Sequence, residues 1–169
     1  KFWMSLEFGM AKKYVDDLAD NVRRGNRAVL ASGRSTGIVP LGYLKEPPVD
    51  RTHGRGAGRT IADPERFLLV QDLFQRALTG RYNLSDLHRI ARDEMGLRSR
   101  GTRRYPAGPI AITTIYDMLS NPFYMGLIRH GGDVFPGGHE PMVTKAEFER
   151  IQQSLHRHAQ PRPASHTFT

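Results

Sequence analysis

The side chains best equipped for chemistry in this sequence are donors of hydrogen bonds and positive charge. Between Pro109 and Gly126, in the run PIAITTIYDMLSNPFYMG, Thr113, Thr114 and Tyr116 follow closely on a basic segment holding Arg98, Arg100, Arg103 and Arg104. Apolar residues at Ile112, Ile115, Met118 and Leu119 recur with helical spacing, so the run predicts a short amphipathic helix with both threonines in its first turn. Asn121-Pro122 must end it, because proline disfavours helical geometry at the residue before it and lacks a backbone donor. A helix start with unpaired N–H groups, the positive end of a dipole and nearby arginines suits a phosphate-rich groove. The hydroxyls of Thr113 and Thr114 can meet base edges or a phosphate, a threonine methyl can touch thymine, and Arg100, Arg103 or Arg104 can reach a guanine edge. Which arginine turns inward, and whether Tyr116 packs against Ile112, is open from the residues alone. So is the plainer alternative of a core helix with a solvated front edge.

Two further groups of arginines look suited to holding a backbone rather than reading bases. Arg23, Arg24 and Arg27, with Arg34 beyond them, gather at the end of a long helical pattern that is acidic at Asp16, Asp17 and Asp20. Cations in a last turn also complement the helix dipole, which is their ordinary use. Arg51, Arg55 and Arg59 stand among glycines in a loop from Glu46 to Thr60, a composition that lets backbone approach a surface closely, as in arms that track a narrow minor groove. A solvated loop is the alternative. The run Gly54-Arg55-Gly56-Ala57-Gly58-Arg59-Thr60 is no phosphate-cradling loop of the nucleotide-binding kind, since the lysine is absent and no apolar strand feeds it.

Catalytic constellations are not legible. With no cysteine there is no thiolate nucleophile, disulfide frame or cysteine zinc site. His139-Glu140 and the pair His156 and His158 lack metal-ligand spacing on a buried face and read as solvated or weakly buried histidines. Asp16-Asp17 and Asp93-Glu94 read as solvated charge. No His-x-x-Arg element accompanies a nucleophilic tyrosine. No catalytic residue, metal or cofactor is therefore expected.

The balance of charge names the partner class. Among 169 residues, 25 Lys and Arg against 17 Asp and Glu leave a formal net charge of +8, which favours polyanions, nucleic acid first. No apolar run approaches the roughly 20 residues of a spanning helix. The beginning of the chain has no secretory pattern, so a cytoplasmic setting is expected. Starting at Lys1 rather than Met, the chain reads as part of something longer.

The elements that must position these groups read as α+β, mainly α. Residues 2 to about 31 predict one long helix with Trp3, Leu6, Met10, Tyr14, Leu18 and Val22 on a stripe that Phe8, Ala11, Val15 and Ala19 broaden, so it should have partners on more than one side. Gly33 and Gly37 break it, and Ile38 to Lys45 reads as a short edge strand around Pro40. Asp63-Pro64-Glu65 is a helix start. Phe67, Val70, Leu73, Phe74, Ala77 and Leu78 form that helix's buried face, and Gly80 ends it. A second helix is expected from about Leu84 to Met95, giving with the Thr113 helix a helix-turn-helix-like layout. Phe123 to Ile128 and Asp133 to Phe135, flanking His130-Gly131-Gly132, suggest a hairpin. Thr144 and Glu147 form a capping box for a last helix burying Phe148, Ile151 and Leu155, and a disordered tail is expected from 159 to 169.

Taken in order, several of these motifs resemble the recombinase domain of the large serine recombinases. They are Asn21-Val22-Arg23-Arg24-Gly25 leading to Gly37-Ile38-Val39-Pro40-Leu41-Gly42-Tyr43, Asp63-Pro64-Glu65 before a helix ending Thr79-Gly80, Met118 to Gly126 (MLSNPFYMG), and Gly138-His139-Glu140-Pro141-Met142-Val143 before a helix with Phe148. The resemblance spans roughly Tyr14 to Arg157. It implies a bacterial or phage module that binds double-stranded DNA at a recombination half-site, between a catalytic domain and a zinc ribbon. It also implies residues 1–32 as the connecting helix, 33–158 as the DNA-binding domain, and self-association in the full-length protein. The family's Tyr-x-Arg-x-Ser nucleophile motif and zinc-ribbon cysteines are absent here, so no strand chemistry is expected of this chain alone. The competing expectation is an interaction or oligomerisation module using the N-terminal apolar helix, with only non-specific nucleic-acid binding.

Overall fold

A computed structural model describes residues 2–46, 58–101, 104 and 106–159. The long periodic run forms one helix, α1 (Phe2–Ala31), which Gly33 terminates with a left-handed φ of 76°. Contrary to the expectation of partners on several sides, α1 is covered, among its described side chains, only near its end. Leu30 is fully buried, while Met10, Tyr14, Val15, Leu18 and Val22 are all exposed, Tyr14 by 70%. The side chains of Trp3, Leu6 and Phe8 lie outside the described residues.

The expected strand from Ile38 shrinks to β1 (Tyr43–Lys45). Ile38 is 95% exposed, and the segment around Pro40 is a turn in which Tyr43 N–H donates to the Pro40 carbonyl at 3.2 Å. Proline cannot donate to a ladder, so the strand begins past it. Strand β1 pairs antiparallel with β2 (Thr60–Ala62) in the register Tyr43 to Ala62. The Asp63 N–H to Gly42 carbonyl bond and the Glu46 N–H to Arg59 carbonyl bond mark the hydrogen-bonded pairs of this ribbon. Tyr43 and Ala62 are thus a non-hydrogen-bonded pair, and the backbone groups of Tyr43 face away from β2.

Helix α2 (Phe67–Leu78) follows a turn at Asp63-Pro64-Glu65, so the helix proper begins about one turn later than that motif suggests. Asp63 still organises the entry: its buried carboxylate accepts from Glu65 N–H at 3.0 Å and pairs with Arg66 at 3.1 Å. Asn83 caps α3 (Leu84–Arg89) in a reciprocal box with Asp86. The expected continuation to Met95 is a wider π turn, Ile90–Glu94, in which Met95 N–H reaches back to the Ile90 carbonyl. Next comes α4 (Ile112–Ser120), closed at Asn121 as the proline requires. Asn121 then caps a 3-10 turn, Pro122–Met125, so Phe123 and Tyr124 belong to that turn and not to a strand. The hairpin itself is β3 (Leu127–His130) and β4 (Asp133–Pro136), joined by Gly131-Gly132 with φ of 59° and 92°. Two consecutive positive φ angles fit a primed two-residue turn, and glycine adopts them without steric cost. Finally α5 (Lys145–Ala159) begins at the Thr144–Glu147 capping box. Residues 160–169 lie outside the described residues.

The core gathers α2, α3, α4 and α5 around an aromatic centre. Tyr43, with no exposed surface, meets Phe67, Phe123 and His139 edge-on at 5.5, 5.3 and 5.2 Å. Its hydroxyl donates to the Glu140 carbonyl at 2.7 Å, and the Tyr124 hydroxyl donates to the Leu41 carbonyl at 2.8 Å. His139, expected to be solvated or weakly buried, is instead a core residue. It stacks on Phe123 at 3.9 Å, and its Nε2 donates to the Phe123 carbonyl at 2.7 Å.

Burial holds the His139 imidazole below the ordinary histidine range, the carbonyl contact opposing this only in part. Its folded pKa is therefore below its unfolded value, so the unfolded chain takes up the proton first. Stability is fully present above about pH 6.5 and declines as pH falls from there toward the folded value. Melting temperature measured from pH 7.5 down to 5.5 is expected to fall, and His139→Phe is expected to flatten that part of the slope.

Candidate nucleic-acid interface

Helix α4 starts at the surface. Its N-cap is Ala111, which offers no side-chain cap, so the first-turn N–H groups are left for water or an outside acceptor. Ile115, Met118 and Leu119 are buried, while Ile112, Thr113, Tyr116 and Asp117 are exposed and Thr114 is half-buried. Ile112, placed by periodicity on the buried stripe, stands at the first position of the helix and is 37% exposed, whereas Ile110 in the preceding loop is buried. Tyr116 is 48% exposed and stands on the same face as Thr113. Asp117 shares this face, although neither its charge nor its spacing marks it out among the residues of the run. A carboxylate there can accept from a cytosine amine but repels phosphate, so the face as built is better suited to bases than to backbone.

The helix is held in place from three directions. His88 of α3 donates through Nε2 to the Ile110 carbonyl at 2.9 Å, just ahead of the helix. Gln152 of α5 donates to the Leu119 carbonyl at 2.6 Å near its end. The basic segment upstream is a closed loop. Arg98 bridges Pro109, Ser99 N–H donates to the Gly108 carbonyl at 2.9 Å, and Gly108 N–H donates to Ser99 Oγ at 3.1 Å. Arg98 and Arg104 are exposed on this loop, and Arg103 lies outside the described residues. Arg100 turns inward: its guanidinium donates to the Tyr43 carbonyl, so it is not presented beside Thr113.

The arginines expected to hold a backbone fall into two places. Arg23, Arg24 and Arg27 are exposed on α1, engaged at most by Asp20 at 3.0 Å, Asn21 at 2.6 Å and Asp133 at 3.8 Å. Such exposed pairs are worth about 0 to 1 kcal/mol each and are readily exchanged for a phosphate. Arg23 and Arg27 also line a crevice against the β3–β4 turn, with His130 opposite. Arg34 is half-buried just after α1 and already interacts within the protein. Arg59 is exposed at the start of β2, whereas Arg51 and Arg55 lie outside the described residues. Among the described residues no group of acids and histidines is arranged to hold a metal ion, and no helix is long and apolar enough to cross a membrane.

Two solved structures share this fold. One, described as an LSR–DNA complex, superposes with a TM-score of 0.58 at 14% identity over 82% of this chain and 38% of that one. The other, from work on sequence requirements of the Listeria innocua prophage attP site, also gives 0.58 at 14% identity, over 81% of this chain and 52% of that one. This chain thus spans about half or less of the length of either. No curated protein matches it. The fold these structures share with the chain is a mainly helical α+β one. The Recombinase family model matches residues 64–158, from the entry to α2 through α5, and the chain belongs to that family.

If His88 fixes the start of α4, His88→Ala should leave the fold intact but lower stability by about 0.5 to 1.5 kcal/mol, the worth of one ordinary hydrogen bond. Amide exchange in the first turn of α4 should quicken more than exchange in α2. Urea denaturation and exchange measured together check both parts.

Proposed function

We propose that this chain is the DNA-binding unit of a site-specific serine recombinase and holds one half-site of a recombination attachment sequence in duplex DNA. The observation that carries the reading is the joint presentation of α4's uncapped start and its basic loop on a domain of the Recombinase family. Thr113, Thr114 and Tyr116, with Arg103 and Arg104, are assigned to base readout. Arg23, Arg24, Arg27, Arg34, Arg51, Arg55, Arg59 and Arg98 are assigned to the phosphate backbone or the minor groove. Helices α3 and α4, at whose junction His88 meets Ile110, act as a helix-turn-helix-like pair with α4 in the major groove. The exposed apolar stripe of α1 serves self-association in the full-length protein, in a bacterial or phage-infected cytoplasm. The nucleophile and any strand transfer belong to a part of the recombinase other than this chain, which does no strand chemistry by itself.

This assignment has a salt signature. If about six arginines engage phosphates, log affinity for duplex DNA is expected to fall with log salt at a slope of roughly minus five. A slope near zero would sink the reading. In the same assays no nicking and no denaturant-stable protein–DNA species should accumulate.

Base readout is separable from backbone holding. In selection from random duplexes, Arg103→Ala and Thr114→Ala should each relax preference at a restricted position, the arginine at a cost of about 1 to 3 kcal/mol if its contact to guanine is bidentate. If both variants fold and keep every wild-type preference, α4 is not the reader.

A further inference from the structure

The register of the β1–β2 ribbon leaves the Tyr43 carbonyl on its open edge, without a ladder partner. A buried carbonyl needs a donor from elsewhere. That donor is Arg100, which comes from 57 residues further along the chain and is half-buried. A neutral donor would satisfy a carbonyl, yet the fold brings in a guanidinium whose charge cannot be shed. Its Nε is buried with no hydrogen-bond partner, and among the described residues Arg100 pairs with no carboxylate. A cation left this way costs free energy, so the arrangement calls for an explanation in what the contact positions.

Arg100 sits inside the closed loop whose neck is the pairing of Ser99 with Gly108 and of Arg98 with Pro109. On its outer side this loop carries Arg98 and Arg104, and it leads directly into α4. The strand that Arg100 grips belongs to the ribbon whose second strand begins beside the exposed Arg59, with Glu46 N–H bonded to the Arg59 carbonyl. Tyr43 itself has no exposed surface, so the grip is on a fixed point. The long stem and planar fork of arginine span from a surface loop to such a point while keeping the donor direction set.

We infer that Arg100 is a positioning residue. It ties the basic loop ahead of α4 to strand β1, so that Arg98 and Arg104 on one side and Arg59 on the other meet DNA as a single preset surface. The inference rests on the DNA-binding reading for its use, but the tie itself is a property of the free protein. Fixing both edges beforehand removes ordering cost at binding, which is how a residue that touches no base can govern base preference.

The test uses the 169-residue chain with Arg100→Ala, Arg100→Met, which keeps much of the apolar stem, and Arg100→Lys, which keeps a charged donor. In free protein, amide exchange at Ser99 and Gly108 is expected to quicken about tenfold or more in the alanine and methionine variants, as local opening without the tie allows, with partial restoration by lysine. In selection from random duplexes, the same two variants should keep the wild-type salt slope while base preference flattens at more than one position. Wild-type exchange rates in the folded alanine or methionine variant overturn the proposal. So does a salt slope shallower by about one with base preference intact, which makes Arg100 an ordinary phosphate contact. If Arg100→Ala fails to fold, the methionine and lysine variants decide on the same criteria. A wild type that selects no sequence overturns the DNA-binding reading instead, and the tie then stands or falls on exchange alone.

Discussion

The enclosure of Tyr43 is the constraint on which the rest of the domain depends. This one residue is the first of a three-residue strand, yet it touches nearly every layer. Its ring meets α2 through Phe67, the 3-10 turn after α4 through Phe123 and Tyr124, and the segment before α5 through His139. Its hydroxyl holds the Glu140 carbonyl, and its own carbonyl is held by Arg100. Burial pushes the phenol well above its ordinary range, so it remains a neutral donor throughout the physiological range. A ribbon of two short strands would be marginal alone; anchored through Tyr43, it becomes part of the core.

Around that centre the molecule divides its labour by exposure. Apolar residues of α2, α3, α4 and α5 face inward, and exposed arginines lie on α1, on the loop before α4 and beside β2. Helix α1 is the exception among the helices, since its apolar stripe is uncovered from Met10 to Val22 while Leu30 and the Gly33–Gly138 backbone contact secure its end. That contact has no room for a side chain: a Cβ on Gly33 would lie 2.8 Å from the Gly138 nitrogen, in a conformation with positive φ. The close Gly33–Gly138 contact thereby helps hold the end of α1 against the domain.

Much of the secondary structure is legible without coordinates because its signals are local. The capping box at Thr144 and Glu147, the stop at Asn121-Pro122 and the Gly131-Gly132 turn each depend on residues a few positions apart, and each forms as the residues require. The errors fall where local signals compete with long-range ones. Ile38 has the composition of a strand but nothing to pair with, and Ile112 has helical spacing but stands at the helix end. Phe123 looks like a strand residue but is drawn into a 3-10 turn that delivers its ring to Tyr43 and His139.

The sequence by itself determined the mainly helical character, the start and end of α4, the excess of arginine and the family resemblance, since these reside in periodicity, caps, charge and motif order. Tertiary structure alone decided which arginines face outward. Arg98, Arg100 and Arg104 are equivalent in composition, and only the open edge of β1, brought within reach from 57 residues away, takes Arg100 inward and leaves the other two exposed. It also decided that His139 belongs to the core, because the partners that bury it, Phe123 and Tyr43, are assembled by packing and not by spacing.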